Sequence, residues 1–406
     1  MINLSLEFHE YKLGDLCNIS SSKRIFAREY VDEGIPFYRG KEIIELFNNR
    51  DVSTELFITT EKYESIKEKY GVPGKGDILL SSVGTLGVPY LVKDEKFYFK
   101  DGNLTWFKDF NSKLNNKFLY WWLQSIDAKY QINNKCIGST QKALPIKTLE
   151  KFDINLPPLK TQEQIVEILD NISNKIKVNI SINKNLFNIA SSLQIDWMVN
   201  FSPFKSKQFK SSSFGIIPED WNVGKLGDVI EILDSKRIPL SGQERENMEK
   251  IYPYYGAASL MDYVEDYIFD GIYLLIGEDG TVIDDKGFPI LQYVWGKFWV
   301  NNHAHIVKGK NGFNVDSLYL LLSKTNIQSI VTGAVQAKVN QNNLKSLEII
   351  IPPVEVMEKF NELIEPFFDE IRLNHDEIKK LQNLRDTLLP KLMSGEIDVS
   401  EIDCYL

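Results

Sequence analysis

The amino-acid sequence predicts a multidomain protein of mixed helix and sheet, α+β or α/β. Two related globular domains are separated by two long, antiparallel coiled-coil helices. Three observations carry this expectation. Between Leu159 and Trp197, apolar residues recur at alternating steps of four and three, at Ile165, Leu169, Ile172, Ile176, Leu186 and Leu193, which is the seam of a coiled coil. The pattern returns 195 positions later, in phase, at Phe360, Phe367, Ile371, Ile378, Leu381 and Leu388, with Asn179 and Asn374 on equivalent seam positions. The segments ahead of the two helices also repeat one another.

In chain order, the first globular domain is expected over 1–157. Its Tyr11-Lys-Leu-Gly-Asp-Leu16 recurs as Gly224-Lys-Leu-Gly-Asp-Val229, and Ser22-Lys23-Arg24 as Ser235-Lys236-Arg237, both 213 positions on. Phe37-Tyr38-Arg39-Gly40 is echoed by Tyr254-Tyr255-Gly256. An apolar strand running into a glycine turn, Gly76 to Gly84, is echoed by Gly271 to Gly277. The segment Gly138–Pro158 aligns without a gap on Gly333–Pro353. Each copy reads as a glycine loop, a Gln, a short amphipathic turn, a strand and a Pro-Pro stop. Repeats of this kind make one plan used twice.

The first long helix is expected over 158–200, with Thr161 and Gln164 as a capping box behind the two prolines. About 39 residues at 1.5 Å each make a rod of roughly 58 Å. An Asn on an apolar seam costs stability and fixes register. Two long core helices also account for the apolar faces, but not for Asn at matched positions in both copies. An antiparallel pair follows because a whole domain must fit between the helices. Residues 201–213, polar and basic without periodicity, read as a linker. The second globular domain takes 214–353 and the second helix 354–406, where Pro366 is expected to kink the first turns. Phe187, Trp197, Phe360, Phe367 and Phe368 exceed what one helix pair buries and point to partner docking.

At 406 residues, 43% hydrophobic and 12% aromatic, the chain has material for two to three packed units. No apolar run reaches transmembrane length, and Glu7, His9 and Glu10 stand where a secretion signal needs an apolar core. Cys17, Cys136 and Cys404 are scattered, which fits a reducing cytoplasm and argues against a disulfide framework or a zinc site. The net charge of −9 is uneven: residues 355–406 hold 13 acidic and 6 basic side chains, a net of −7, which leaves −2 for the rest. The acidic second helix suits a basic partner surface. The near-neutral domains remain compatible with nucleic acid, though pI gives that no support.

Four stretches carry a family resemblance: Leu156–Ile165 (LPPLKTQEQI), Gly215–Asp228 (GIIPEDWNVGKLGD), the two G-x-x-Q segments, and Leu384–Val399 (LRDTLLPKLMSGEIDV). In this order and with two half-repeats, the chain resembles the specificity subunit of type I restriction-modification systems over nearly its whole length. The second helix departs from the pattern, beginning IPPVEVMEKF without the Glu163-Gln164 of the first. The resemblance implies two target-recognition domains, each reading one half of a bipartite, asymmetric site in double-stranded DNA. It implies helices that hold the domains apart and bind two copies of the modification methyltransferase, to which restriction motor-nuclease subunits add. S-adenosylmethionine, ATP and Mg would belong to those partners, with no membrane involved. Lengthening Leu169–Leu186 by a heptad is then expected to shift the half-site gap.

Under that resemblance, candidate DNA contacts lie in loops both halves share. Ser21, Lys23 and Arg24, with Ser235, Lys236 and Arg237, offer phosphate and guanine donors after a strand, and Arg39 and Lys41 follow in the first half. Gln141 with Lys142, and Gln336 with Lys338, pair an adenine-suited amide with a phosphate-binding ammonium. Ser-Lys-Arg reads equally as a solvated turn and the Gln as a loop cap. Shared residues position backbone, whereas unshared ones such as Arg28, Arg50, Gln243 and Arg245 are the candidates to discriminate bases.

Enzyme signatures fail. Leu156-Pro-Pro-Leu159 and Ile351-Pro-Pro-Val354 lack the polar and aromatic flanks with which an adenine methyltransferase holds its base. Gly71–Asp77 has Gly76, not Ser or Thr, after Lys75, so it reads as a turn. His303 and His305 have no third ligand nearby in sequence and read as structural, and Glu278-Asp279 as a turn. The expectation is a non-catalytic recognition subunit. The alternatives are a specificity subunit of a fused methyltransferase-endonuclease and an assembly scaffold that does not read DNA.

Overall fold

The computed structural model describes residues 8–138, 141–333 and 336–399. Glu7, Cys404 and the two central residues of each G-x-x-Q segment lie outside them. The chain forms two compact units, one of Met1–Val178 with Glu377–Leu406, the other of Asn179–Asp376. Each long helix, Leu159–Met198 and Val354–Ser394, therefore contributes to both.

Within the first unit, a four-stranded antiparallel sheet has the order Asn18–Ser20, Leu104–Lys108, Ile78–Ser81, Pro89–Leu91. A smaller sheet pairs Ile35–Tyr38 antiparallel with Phe57–Ile58 and parallel with Tyr98–Phe99. His9–Lys12 pairs with Asp153–Leu156. The second unit repeats each arrangement. Its main sheet runs Ile230–Ile232, Ala304–Gly309, Tyr273–Gly277, Leu291–Val294, all antiparallel. Its smaller sheet pairs Tyr252–Tyr255 parallel with Lys297–Val300, and Asn222–Lys225 pairs with Glu348–Ile351. The central strands Ile78–Ser81 and Tyr273–Gly277 are buried throughout.

In the first unit, Ile165, Val166 and Leu169 of the first helix and Leu389, Leu392 and Met393 of the second share one core with Leu119, Trp121 and Phe152 of the domain. In the second unit, Phe187, Ala190, Leu193 and Trp197 share a core with Phe360, Ile364, Phe367, Phe368 and Ile371, against Leu318 and Val307. Every seam residue named from sequence is buried or half-buried. Asn179 and Asn374, both in the second unit, are 0% and 6% exposed.

Three expectations are corrected. The first helix starts at Leu159, directly after the prolines, so Thr161 lies inside its first turn as a buried residue and not as the cap. Gln162 organises this end instead: its Oε1 accepts from the Asn115 N–H at 2.9 Å, and its Nε2 donates to the carbonyls of Lys113 and Pro157 at 2.8 and 2.9 Å. The segment read as a linker folds into a turn at Ser202–Phe204 and a strand, Phe209–Ser212, paired with Gly215–Pro218. Phe201, Phe204, Ile217 and Trp221 pack beneath it. The aromatics expected to await a partner are consumed inside the second unit. Trp197 packs on Phe204 and Phe360 at 5.7 Å each, Phe187 on Tyr319, and Phe368 on Tyr293. Burying Phe360 and Phe368 stabilises by about 1.5–3 kcal/mol each.

Candidate nucleic-acid interface

The shared motifs meet at one end of each main sheet, and strand register explains why. In the first unit, Ser20 pairs with Trp106 and Ser81 with Leu104. Strands Asn18–Ser20 and Ile78–Ser81 therefore leave the sheet where Leu104–Lys108 enters it. The Ser21–Arg24 loop folds over the incoming segment. Ser22 Oγ donates to the Phe99 carbonyl at 2.7 Å, the Lys23 N–H donates to Tyr98 Oη at 2.7 Å, and Arg24 pairs with Asp101 at 2.7 Å. The Gly102 N–H donates to Ser21 Oγ at 3.3 Å. Arg39 joins from the next strand, since Tyr38 accepts from the Lys100 N–H at 2.9 Å.

Gln141 and Lys142 arrive by a different route. The Gly84 N–H donates to the Lys142 carbonyl at 3.1 Å and the Leu144 N–H to the Ser82 carbonyl at 2.9 Å. This seats the glycine loop on the glycine turn. The second unit does the same with Gly280 N–H to Ala337 O at 3.0 Å and Val339 N–H to Glu278 O at 2.8 Å. Both loops need their glycine. Gly138 and Gly333 have φ of +94° and +95°, and a Cβ there would lie 2.4 and 2.0 Å from the carbonyl oxygens of Gln141 and Gln336. The glycine is thus a backbone requirement, while the side chains of Gln141, Lys142, Gln336 and Lys338 are exposed.

Not every candidate cation faces solvent. Lys23 and Lys236 are exposed, as is Ser235. Lys41 reaches only loosely toward Glu45 at 3.9 Å. Arg39 is half-buried and bound to the buried Glu42 at 2.7 Å, a bond that holds the guanidinium above its ordinary pKa. Arg245, one of the unshared candidates, pairs with Asp262 at 2.8 Å and lies over the Tyr254 ring, whereas Arg28, Arg50 and Gln243 are exposed.

Sequence reasoning missed a buried ionic network in the second unit. His305 Nδ1 lies 2.6 Å from Asp234 Oδ2 and its Nε2 lies 2.7 Å from the Val339 carbonyl. Gln341 Nε2 donates to the same Asp234 oxygen at 2.6 Å, and the Ile306 N–H donates to the other at 3.0 Å. Glu278 stands 3.7 Å from His305. Ligand-type atoms of Asp234, Glu278 and His305 fall within 4.8 Å of one another, so His305 does have carboxylate neighbours, which correct the sequence reading. The group set among them is the Arg237 guanidinium, 2.7 Å from Glu278 and 3.4 Å from Asp234, donating also to the Asn302 and Ala304 carbonyls. Burial alone would push the Asp234 carboxyl up. The His305 and Ile306 N–H bonds and the Arg237 charge outweigh it and hold the group below its ordinary value. His303, by contrast, is half-exposed on Asp279 at 2.5 Å. The one local signal was Asp234 itself, next to the Ser-Lys-Arg motif where the first copy has Ser21.

Two repeated domains of this kind, each presenting Lys and Gln loops at one sheet end and each built on two long helices, define a duplicated recognition protein. Comparison with known sequences gives the family. The profile described as the type I restriction modification DNA specificity domain matches twice, over residues 6–186 and 218–383. The chain belongs to that family. It is 25% identical over 355 residues to the type I restriction enzyme MjaIX specificity subunit of Methanocaldococcus jannaschii, covering 81% of this chain and 79% of that protein. The EcoprrI specificity subunit of Escherichia coli is 24% identical over 371 residues, 85% of this chain and 84% of its own. The crystal structure of a type I restriction-modification S subunit from M. genitalium superposes with a TM-score of 0.59 at 16% identity, covering 97% of both chains, and shares the fold. Among the described residues, no helix is long and apolar enough to cross a membrane.

Proposed function

We propose that this chain is the DNA sequence-specificity subunit of a type I restriction-modification complex, acting in the cytoplasm and performing no catalysis itself. Each domain reads one half of a bipartite site, and the long helices pair antiparallel as a coiled coil that sets the gap and docks methyltransferase subunits. The observation that carries this reading is the duplicated sheet end, where equivalent loops of both units present Lys and Gln side chains. Phosphate-directed cations and base-directed amides are the two classes of contact that positioning and reading DNA require. The helix pairing is supported inside each unit by cores that draw residues from both helices. It is supported also by the Asn183 carboxamide, which donates to the Ile371 carbonyl at 3.2 Å.

Methyl transfer from S-adenosylmethionine, and the ATP- and Mg-dependent motor-nuclease steps, belong to partner subunits, with two methyltransferase copies on the helices. The test is to purify the chain with its cognate methyltransferase and map methylated adenines across random-sequence duplex DNA. A split motif with a fixed gap is expected. Exchanging Gly215–Pro353 for the corresponding segment of a relative should change one half only, and a heptad added within Leu169–Leu186 should change the gap only. Methylation without sequence preference would establish the scaffold reading instead.

A further inference from the structure

Three pairs of equivalent positions distinguish the two sheet ends. Repeat spacing places Asp234 where the first unit has Ser21, since Ser235-Lys236-Arg237 follows it as Ser22-Lys23-Arg24 follows Ser21. Strand register places Glu278, directly after Gly277, where the first unit has Ser82 directly after Ser81. Ser81 faces Leu104 and Gly277 faces Ala304, so Thr105 answers to His305. In the first unit the hydroxyls of Ser82 and Thr105 bond to each other at 2.5 Å and carry no charge. The second unit has two carboxylates and an imidazole in the same places.

The consequence falls on the shared arginine. Arg24 has Ser21 and Ser82 at the positions of Asp234 and Glu278, pairs with Asp101 at 2.7 Å, and leaves 67% of its side chain exposed. Arg237, at the equivalent position, is drawn down between Glu278 and Asp234 and caps two carbonyls, leaving 13% exposed. A guanidinium holding two carboxylates and two carbonyls has few donors left for a phosphate or a guanine edge.

We propose that Glu278 is a specificity-determining positioning residue. By holding Arg237 inside the second domain it withdraws from the DNA-facing loops a cation that the first domain presents as Arg24. One motif, written twice in the sequence, thereby serves the surface in one half and the scaffold in the other. This explains how two domains with the same Ser-Lys-Arg motif need not read the same bases. The inference rests on the DNA-reading function proposed above. Exposed cations of the second unit at this end include Lys338, 3.7 Å from Glu278 Oε1, and Lys236.

The test uses the full chain assembled with its methyltransferase. The probe is a duplex carrying whatever motif the wild-type complex methylates. Glu278→Ser, the residue of the first copy, should free Arg237. The slope of log binding constant against log salt should steepen by about one, the preference of the second half-site should shift at one or two base pairs, and the first half should stay as it was. Adding Arg237→Ala to Glu278→Ser should return the slope to its starting value. An unchanged slope and unchanged second half would overturn the inference while leaving the bipartite reading intact. A wild-type complex with no motif would instead remove the reading on which it rests. Should the variant fail to fold, arginine labelling of the wild-type complex with phenylglyoxal decides. Arg24 should react and be protected by DNA, with Arg237 inert in both states; an Arg237 that reacts and is protected by DNA overturns the proposal.

Discussion

The main-chain carbonyl of Gln141 stands 2.4 Å from the point where a Cβ on Gly138 would sit, and that of Gln336 stands 2.0 Å from the same point on Gly333. A methyl group at either glycine meets backbone, which cannot swing aside, in a conformation that side chains already disfavour. Gly138→Ala and Gly333→Ala should each destabilise their unit by about 1–3 kcal/mol and lower methylation efficiency, with Gly333→Ala the worse. Gly84 is the control: its φ is +80° but nothing lies within 4 Å of its Cβ position. Gly84→Ala should carry only the backbone cost, roughly 1–2 kcal/mol. Thermal unfolding of the three variants would rank them, and equal losses would mean that the loop yields.

What the sequence made legible was local. The heptad seams are periodic along one helix, and the duplication is a matter of matching short strings, so both long helices and both copies of the domain plan could be read. The convergence of Ser21–Arg24, Ser82–Gly84 and Gln141–Lys142 depends on Ser20 facing Trp106 and Ser81 facing Leu104, pairings that no local pattern encodes. Asp234, Glu278 and His305 are separated by tens of residues, so their network had no spacing to announce it. The hairpin at Phe209–Ser212 escaped because most of its residues are exposed or half-exposed, which erases the alternation that marks a half-buried strand. The helix aromatics were misassigned because a seam counts one face. In the second unit, Phe360 and Phe368 also meet the globular domain.

Cys17 should be chemically silent in the native protein. Its Sγ is buried against the Leu13 carbonyl, and burial pushes the thiol up to about 12. At pH 8 the thiolate, which is the reactive form, is then about one part in ten thousand. Iodoacetamide labelling followed by peptide mapping should modify the half-exposed Cys136 and leave Cys17 untouched until denaturant is added. Native labelling of Cys17 at a rate near that of Cys136 would show that the first core opens readily.

Tyr293 ties the second long helix to its domain. Its hydroxyl donates to Asp316 Oδ1 at 2.5 Å and accepts from Arg372, which lies 3.6 Å from the same carboxylate. Burial pushes the tyrosine hydroxyl well above its ordinary value, with the Asp316 charge adding to it. Tyr293→Phe leaves a buried carboxylate short of a donor and should cost about 1–3 kcal/mol. Arg372→Met should cost a similar amount. The double variant should cost less than the sum, with a coupling of about 0.5–3 kcal/mol. Denaturant unfolding of the four proteins in the cycle measures this, and strict additivity would show that the three side chains do not act as one network.

Acid should weaken the second unit through Asp234. Its carboxyl is held below the ordinary value in the folded chain despite a burial that pushes the other way. Unfolding returns it to about 3.9. The unfolded chain therefore binds this proton more readily, and the associated stability is present above the ordinary carboxylate value and lost as pH falls through the lowered one. Asp316 works in the opposite sense. Burial raises its carboxyl against the Tyr293 bond and the Arg372 charge, so its contribution is complete below the ordinary value and declines as pH rises through the raised one. Asp234→Asn should lower stability at pH 7 and flatten the loss between about pH 5 and 2, whereas Asp316→Asn should flatten the change on the alkaline side of the carboxylate range. Thermal unfolding of both variants across that range separates the two contributions. If Asp234→Asn left the acid limb as steep as wild type, the ionic network around Arg237 would not be what acid dismantles.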